Sequence, residues 1–186
     1  MYPQVCKRQG EKRITMDSSI RDRILPFSLT SLIIILDQTI KAIVVSKWPR
    51  EGTFIKDVFN NDFLIFYHVR NKAIAFSLGD NIPDPFRFIF FVILPIVVLV
   101  FLTWYYLRTQ DISRIQRWAI AGIIGGGVGN IIDRVFRKDG VVDFISVKFY
   151  GLLGMQRWPT FNVADASVVV CCLILLVTML IPAKKT

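Results

Sequence analysis

The chain has 186 residues, of which 53% are hydrophobic and 13% aromatic, and it carries a formal net charge of +9. This composition is more apolar than that of a soluble domain and predicts one compact membrane protein. The basic residues lie beside apolar runs, so the positive charge is better explained by the orientation of membrane helices than by binding to nucleic acid. Three cysteines, two of them adjacent, indicate neither a disulfide framework nor a zinc site.

Four apolar runs are long enough to cross a membrane as helices. They cover about residues 26–46, 86–106, 117–136 and 161–181. Basic residues lie in segment 1–25, in the loop after the second run and at the C-terminus, so both termini are predicted to be cytoplasmic. Segments 47–85 and 137–160 then face outward. The β-branched and aromatic residues of the first predict short strands, and the second is predicted to be a loop. We therefore expect a basic cytoplasmic tail, 1–25, and one four-helix membrane domain, 26–186.

The first run contains a candidate ion pair, Asp37 and Lys41. Their i, i+4 spacing places both on one helix face, with the acid in the favourable N-terminal position. Charges at membrane depth are costly, so the pair either neutralises itself within a bundle or supports a functional site, and both interpretations stay open. His68 is the only histidine and is predicted to be a surface or packing residue rather than a ligand or base.

Glycines recur at a helical spacing in the third run. Gly122 with Gly126, and Gly125 with Gly129, form two small-xxx-small pairs. Such pairs let the backbones of membrane helices approach closely. The third helix is therefore predicted to pack tightly against its neighbours.

Polar side chains follow at the outer ends of the third and fourth runs. Asn130, Asp133 and Arg134 share one face of the third helix, because they are spaced i, i+3 and i+4. Asn162 can cap the fourth helix, with Asp165 in its first turn near the positive end of the helix dipole. The predicted topology brings these residues together near the outer membrane surface.

Three aspartates are candidates for acid–base chemistry. Two carboxylates held close together share a proton, so one can polarise a carbonyl while the other activates water. Asp133 is followed by Arg134, which favours a paired, structural carboxylate. Asp143 and Asp165 have apolar neighbours and are better placed to have raised pKa values. Each could alternatively be a buried acid satisfied by a nearby Arg or Asn, and spacing alone does not choose between the three.

Five ordered motifs resemble those of the type II (lipoprotein) signal peptidases, bacterial aspartyl proteases that remove signal peptides from prolipoproteins. The motifs are D-Q-T-I-K (37–41), N-K-A-I-A-F-S (71–77), G-N-I-I-D-R (129–134), V-V-D-F (141–144) and F-N-V-A-D (161–165). They extend from the first apolar run to the fourth. Any one of them alone would be weak evidence, whereas five in the family's order are specific.

The resemblance implies that Asp143 and Asp165 form the catalytic dyad. It assigns supporting or substrate-contacting roles to Asp37, Lys41, Asn71, Asn130, Asp133, Arg134 and Asn162. It further implies an all-α membrane protein, with four transmembrane helices and a small extracytoplasmic β-sheet cradle. The implied location is the bacterial cytoplasmic (inner) membrane, with the active site near its outer face. The expected enzyme is a monomer that uses no cofactor or metal, contacts membrane lipid, and cleaves prolipoproteins whose cysteine carries diacylglycerol.

Two departures from the family pattern are visible. Ala73-Ile74 stands where the family usually has Gly-Ala, which would reshape the pocket beside Asn71. The segment Arg137–Gly140 lengthens the turn before Asp143 and makes Asp139 a minor rival. Neither departure removes a proposed catalytic residue.

Two other functions are considered. A serine–lysine peptidase would use Ser77 with Lys41, or Ser146 with Lys148. A non-enzymatic homologue would only bind lipidated signal peptides, although the intact V-V-D-F and F-N-V-A-D motifs argue against inactivity.

Overall fold

A computed structural model describes residues 20–71, 83, 86 and 88–180 of the chain. Its long helices are α1 (Phe27–Lys47), α2 (Leu94–Arg108), α3 (Arg114–Phe136) and α4 (Val163–Leu180). A helical turn from Ile20 extends α1, and a π-helical segment, Ile89–Ile93, leads into α2. With these extensions, all four are long and apolar enough to cross a membrane. The prediction of four membrane helices is confirmed.

Helix α3 lies at the centre of the bundle because its glycines let two helices approach it. A Cβ atom on Gly122 or Gly126 would collide with α4, at Cys171 and at the carbonyl oxygen of Ala164. A Cβ atom on Gly125 would lie 3.0 Å from the Thr30 backbone of α1. The two predicted glycine pairs therefore serve two different helices, one on each side of α3.

A three-stranded antiparallel sheet joins the helices at one end of the bundle. Its strands are β1 (Phe54–Asp57), β2 (Leu64–Asn71) and β3 (Val141–Val147), in the order β1-β2-β3. Val142 and Phe144 of β3 pack on Val44 near the end of α1 and form a buried cluster with it. This contact fixes the sheet to the bundle, with alternate residues of β3 facing away from the cluster.

The position of Asp143 differs from the sequence expectation. Residues 137–160 were expected to form a loop, but Val141–Val147 pairs with β2, with Asn71 opposite Val141 and Val69 opposite Asp143. A strand forms because β2 supplies backbone partners that the local sequence does not contain. Asp143 is therefore held by a backbone ladder.

Some features singled out from sequence lie outside the described residues. They are the tail up to residue 19, Ala73-Ile74, Ser77 and the remainder of the 71–77 motif after Asn71.

Candidate active site

Asp143 and Asp165 line one cavity of about 330 Å³ at the end of the bundle nearest the sheet. Asp143 comes from β3, and Asp165 comes from the first turn of α4. Polar side chains from β2 and α3 complete the polar wall: Asn71, Asn130 and Arg134. The rest of the wall is mainly apolar and includes Val141, Trp158, Phe161, Val168 and Val169. The fold thus brings together two carboxylates that are 22 residues apart in sequence.

Two amide groups hold the carboxylate of Asp143. Asn162 donates from Nδ2 to Oδ1 at 2.7 Å, and Asn71 donates from Nδ2 to Oδ2 at 3.0 Å. The Asp143 side chain is almost fully buried, and this burial, together with the charge of Asp165, raises its pKa to about 7. The two amide donors favour the ionised form and oppose that rise. The group can consequently bind or release a proton near neutral pH.

The carboxylate of Asp165 is oriented by α3 and by its own helix cap. Asn130 donates from Nδ2 to Oδ1 of Asp165 at 2.7 Å, and the backbone N–H of Asn162 donates to Oδ2 at 3.2 Å. Asn162 Oδ1 in turn accepts from the backbone N–H of Asp165 at 2.9 Å. This reciprocal pair is a capping arrangement, as the sequence predicted for Asn162.

Asn162 connects the two aspartates. Its Oδ1 and backbone N–H hold Asp165, while its Nδ2 reaches Asp143 and also Asn130 Oδ1 at 3.0 Å. Lys41 Nζ donates to the same Asn130 oxygen at 3.0 Å. An ammonium group can only donate hydrogen bonds, so Lys41 selects the orientation in which Asn130 Oδ1 faces it. The Asn130 amide nitrogen then faces Asp165 and donates to its carboxylate.

A buried ionic cluster lies directly below this network. Lys41 Nζ is 2.8 Å from Asp37 Oδ2 and 3.3 Å from Asp133 Oδ2, and all three side chains are fully buried. Asp37 Oδ1 also accepts from the backbone N–H of Ala164 at 3.0 Å. The predicted Asp37–Lys41 pair is therefore formed, and it ties α1 to α3 and to the start of α4.

The partners of Asp133 correct the sequence interpretation. Its ion pairs are formed with Lys41 and with Arg137, whose Nε lies 2.9 Å from Oδ1, rather than with Arg134 as expected. Arg134 projects from another side of α3, where it lines the cavity and places its guanidinium carbon 5.3 Å from the ring centre of Phe91. Adjacent helix residues point about 100° apart, which separates their contacts.

The sequence did not predict two hydrogen bonds to the Asp133 carboxylate. Gln38 Nε2 donates to Asp133 Oδ1 at 3.1 Å and to the Gly129 carbonyl at 3.0 Å. The backbone N–H of Val142 donates to Asp133 Oδ2 at 3.0 Å, one residue before Asp143. The i, i+4 spacing of Asp133 and Arg137 was a usable signal for that pair, whereas the Gln38 and Val142 contacts depend on packing between distant segments.

The described serine and lysine candidates are engaged elsewhere. Ser146 Oγ accepts from Arg157 Nε at 2.8 Å, and Lys148 Nζ pairs with Asp62 at 3.1 Å. Lys41 is surrounded by carboxylates, as described above. His68 is buried and places Nδ1 2.7 Å from the Trp48 carbonyl oxygen, consistent with a packing role. Neither Lys148 nor Lys41 is thus arranged to deprotonate a described serine.

Comparisons with known proteins agree with this geometry. A sequence profile of the Peptidase_A8 family, described as signal peptidase (SPase) II, matches residues 29–181. The lipoprotein signal peptidase of Treponema denticola is 49% identical over 154 residues, covering 82% of this chain and 86% of the relative. The lipoprotein signal peptidase of Borrelia turicatae is 46% identical over 144 residues, covering 77% of this chain and 82% of the relative.

A solved structure has the same fold. It is a bacterial membrane enzyme determined by the in meso method at 1.9 Å resolution, with a TM-score of 0.70 and 25% sequence identity. The similarity covers 87% of this chain and 94% of that one. Together with the family profile and the close relatives, it shows that this chain, a multi-pass membrane protein, belongs to the signal peptidase II family of aspartic-type peptidases.

Proposed function

We propose that the protein cleaves the signal peptide from prolipoproteins whose cysteine carries diacylglycerol, using Asp143 and Asp165 to activate a water molecule. The observation that carries this proposal is the joint placement of both carboxylates in one cavity, each oriented by amide donors. A pair of acids that shares one proton can hydrolyse a peptide bond without a metal ion or a covalent intermediate.

The proposed reaction uses the pair first as base and acid, and then with these roles reversed. The ionised member removes a proton from water as the water oxygen forms a bond to the scissile carbonyl carbon, and the protonated member gives its proton to the carbonyl oxygen. Collapse of the tetrahedral intermediate breaks the peptide bond, and a proton passes to the departing amine of the lipidated cysteine. The pKa of about 7 at Asp143 suits such exchange near neutral pH.

The supporting residues are assigned by what they touch. Asn71, Asn130 and Asn162 orient the two carboxylates. Asp37, Lys41 and Asp133 fix α1, α3, β3 and the start of α4 relative to one another. Arg134 adds a cation to the cavity wall, where a substrate carbonyl or ester oxygen can contact it.

The proposed setting is the bacterial cytoplasmic membrane, with both termini cytoplasmic and the cavity near the outer face. The basic segment 1–25 and the basic loop after α2 support this orientation. A lipidated cysteine is anchored at the level of the headgroups, and the apolar wall formed by Val168, Val169 and Phe161 suits an acyl-bearing residue. We propose that one copy of the chain is sufficient, with prolipoprotein and membrane lipid as its partners.

The test is cleavage of a diacylglyceryl prolipoprotein by Asp143→Asn and Asp165→Asn in reconstituted membranes. Each variant is expected to lose activity by about 10²–10⁴-fold, the range attributable to one general acid or base. Asp139→Asn is the matched control, because Asp139 is exposed and lies only four residues before Asp143. Normal cleavage by either dyad variant would refute the assignment.

Two further measurements separate this proposal from the serine–lysine alternative. Ser77→Ala and Ser146→Ala are expected to retain cleavage, and serine-directed reagents and chelators are expected to leave it unchanged. Loss of activity in a serine variant with retention in both aspartate variants would favour a serine nucleophile.

A further inference from the structure

Apolar side chains are exposed at the end of the sheet farthest from the cavity. They come from two turns: Phe59 and Phe63 from the β1–β2 turn, and Tyr150, Leu152 and Leu153 from the segment after β3. The exposed fraction of these five side chains ranges from 38% at Phe63 to 78% at Leu153. We refer to this set as the apolar rim. Clustered apolar side chains outside membrane-spanning helices indicate an interaction surface.

The segment after β3 forms a hairpin closed by backbone hydrogen bonds. Lys148 and Arg157 form an antiparallel β-bridge through their backbones. The N–H of Phe149 donates to the Gln156 carbonyl at 2.8 Å, and the N–H of Gly151 donates to the Met155 carbonyl at 2.9 Å. The rings of Phe149 and Trp158 lie 5.0 Å apart. The leucines at its tip are therefore presented on a defined scaffold.

The two turns form one unit because Asp62 joins them. Asp62 pairs with Lys148 Nζ at 3.1 Å and with Arg157 Nη1 at 2.9 Å, and the N–H of Lys148 donates to the Phe63 carbonyl at 2.8 Å. The rings of Phe59 and Phe63 lie 6.3 Å apart on the neighbouring turn. The apolar rim is thus held together by polar contacts beneath it.

Two apolar residues at the tip of the hairpin have a left-handed backbone conformation. Leu153 has φ of +55° and Tyr150 has φ of +54°, a left-handed conformation that glycine, asparagine and aspartate adopt more readily. Leu153 is 78% exposed, so packing against the described part of the chain does not explain an apolar residue in this turn. A contact outside the chain would explain it.

None of the five rim side chains lines the catalytic cavity, although Trp158, whose ring packs on Phe149 in the same hairpin, belongs to the cavity wall. Asn71 and Val141 lie at the cavity end of β2 and β3, whereas Leu64 and Val147 lie at the rim end. The length of β3 separates the two ends by about 20 Å at 3.3 Å per residue. Contact with the scissile bond therefore does not explain why the apolar side chains of the rim are exposed.

The chain path limits how far the rim can lie from the start of α4. Leu153 is ten residues before Val163, where α4 begins, and a chain of that length spans at most about 35 Å. The composition is also that of a membrane interface, with Tyr150 and Trp158 beside Lys148 and Arg157. Aromatic rings and long basic side chains place an apolar part in lipid and a polar part among the headgroups.

We propose that the apolar rim inserts into the outer surface of the lipid bilayer and holds the free end of the sheet against the membrane. The partner is the boundary between headgroups and acyl chains, and Leu152 and Leu153 enter it farthest. The inference rests on the proposed outward placement of the sheet and is independent of the catalytic roles of Asp143 and Asp165. Its consequence is a second membrane contact that keeps the strand carrying Asp143 at headgroup level.

The test measures the depth of a spin label in the full chain. Leu153→Cys is introduced with Cys6→Ala, Cys171→Ala and Cys172→Ala, labelled with a nitroxide, and reconstituted into phosphatidylcholine–phosphatidylglycerol vesicles. Collision of the label with oxygen, which concentrates in lipid, is expected to exceed collision with a water-soluble nickel chelate several-fold. Lys56→Cys, at an exposed position on β1, is the matched control, and the chelate is expected to dominate there.

Three results would overturn the proposal. Chelate-dominated collision at position 153, as at position 56, would place the tip in water. Dipolar broadening between labels would indicate that a second copy covers the rim. Protection from the chelate only after a prolipoprotein peptide is added would assign the rim to the substrate. Cleavage activity is measured on the same labelled sample. A failure of the rim to insert into lipid can then be distinguished from a failure of the proposed catalytic function.

Discussion

Replacing Lys41 with methionine tests whether the cluster below the cavity depends on its buried cation. Met is similar in length and apolar, so Lys41→Met removes the charge with little change in volume. It leaves Asp37 and Asp133, both fully buried, with Arg137 as the remaining ion-pair partner that the structure shows for them. Of these two carboxylates, Arg137 pairs with Asp133, and the Arg137 side chain is 23% exposed.

The expected cost follows from burial. Removing one partner of a fully buried ion pair costs about 3–5 kcal/mol, because an uncompensated charge stays away from water. Lys148→Met is the matched control, since Lys148 also pairs with an aspartate, but its side chain is 32% exposed and Asp62 is 57% exposed. A pair of that kind contributes about 0–1 kcal/mol. The two lysine variants should therefore differ by at least about 2 kcal/mol.

The assay is reversible unfolding of both variants in mixed micelles, followed by tryptophan fluorescence, together with cleavage of a lipidated substrate. Lys41→Met should also lower cleavage, because Asn130 loses the donor that orients its amide toward Asp165. Equal unfolding free energies for the two variants would refute the reasoning. So would a Lys41→Met protein with unchanged stability and unchanged cleavage.

Further predictions concern pH and packing. Because the working pair holds one proton and the pKa of Asp143 is about 7, kcat/KM should fall about tenfold per pH unit above that value. Asn71→Ala removes a donor that favours the ionised form, so the pKa should rise and the alkaline decline should move to higher pH; an unchanged or lower midpoint would contradict this. Gly126→Ala should destabilise the bundle by about 1–3 kcal/mol, because its Cβ meets the Ala164 backbone. Gly127→Ala is the control, since the atoms nearest to its Cβ would belong to the flexible side chain of Leu99 rather than to backbone. Equal thermal midpoints for the two variants would argue against close α3–α4 packing.

Much of the fold could be predicted because it depends on local composition. Hydropathy and length alone placed four helices within a few residues of their observed limits. The glycine spacing predicted tight packing of α3, and the positions of Asn162 and Asp165 predicted a helix cap. These features are properties of single segments, which is why sequence patterns describe them well.

The partners of each polar group required the tertiary structure. The i, i+4 pair of Asp37 and Lys41 was visible in the sequence, but the contact of Lys41 with Asn130, 89 residues away, was not. Likewise, sequence adjacency suggested Arg134 for Asp133, whereas helix geometry and packing provided Lys41, Gln38 and Arg137. A side chain's neighbours across a bundle depend on helix rotation and approach, which local patterns do not specify.

The sequence by itself determined the four membrane helices and narrowed the chemistry to three aspartates near one end of them. Only the tertiary structure decided that Asp143 lies on a strand and shares a cavity with Asp165. The physical reason is strand register: Val142 and Phe144 pack on Val44, so Asp143 between them faces the opposite side. A shift of one residue would exchange these faces and bury a valine where the carboxylate now stands.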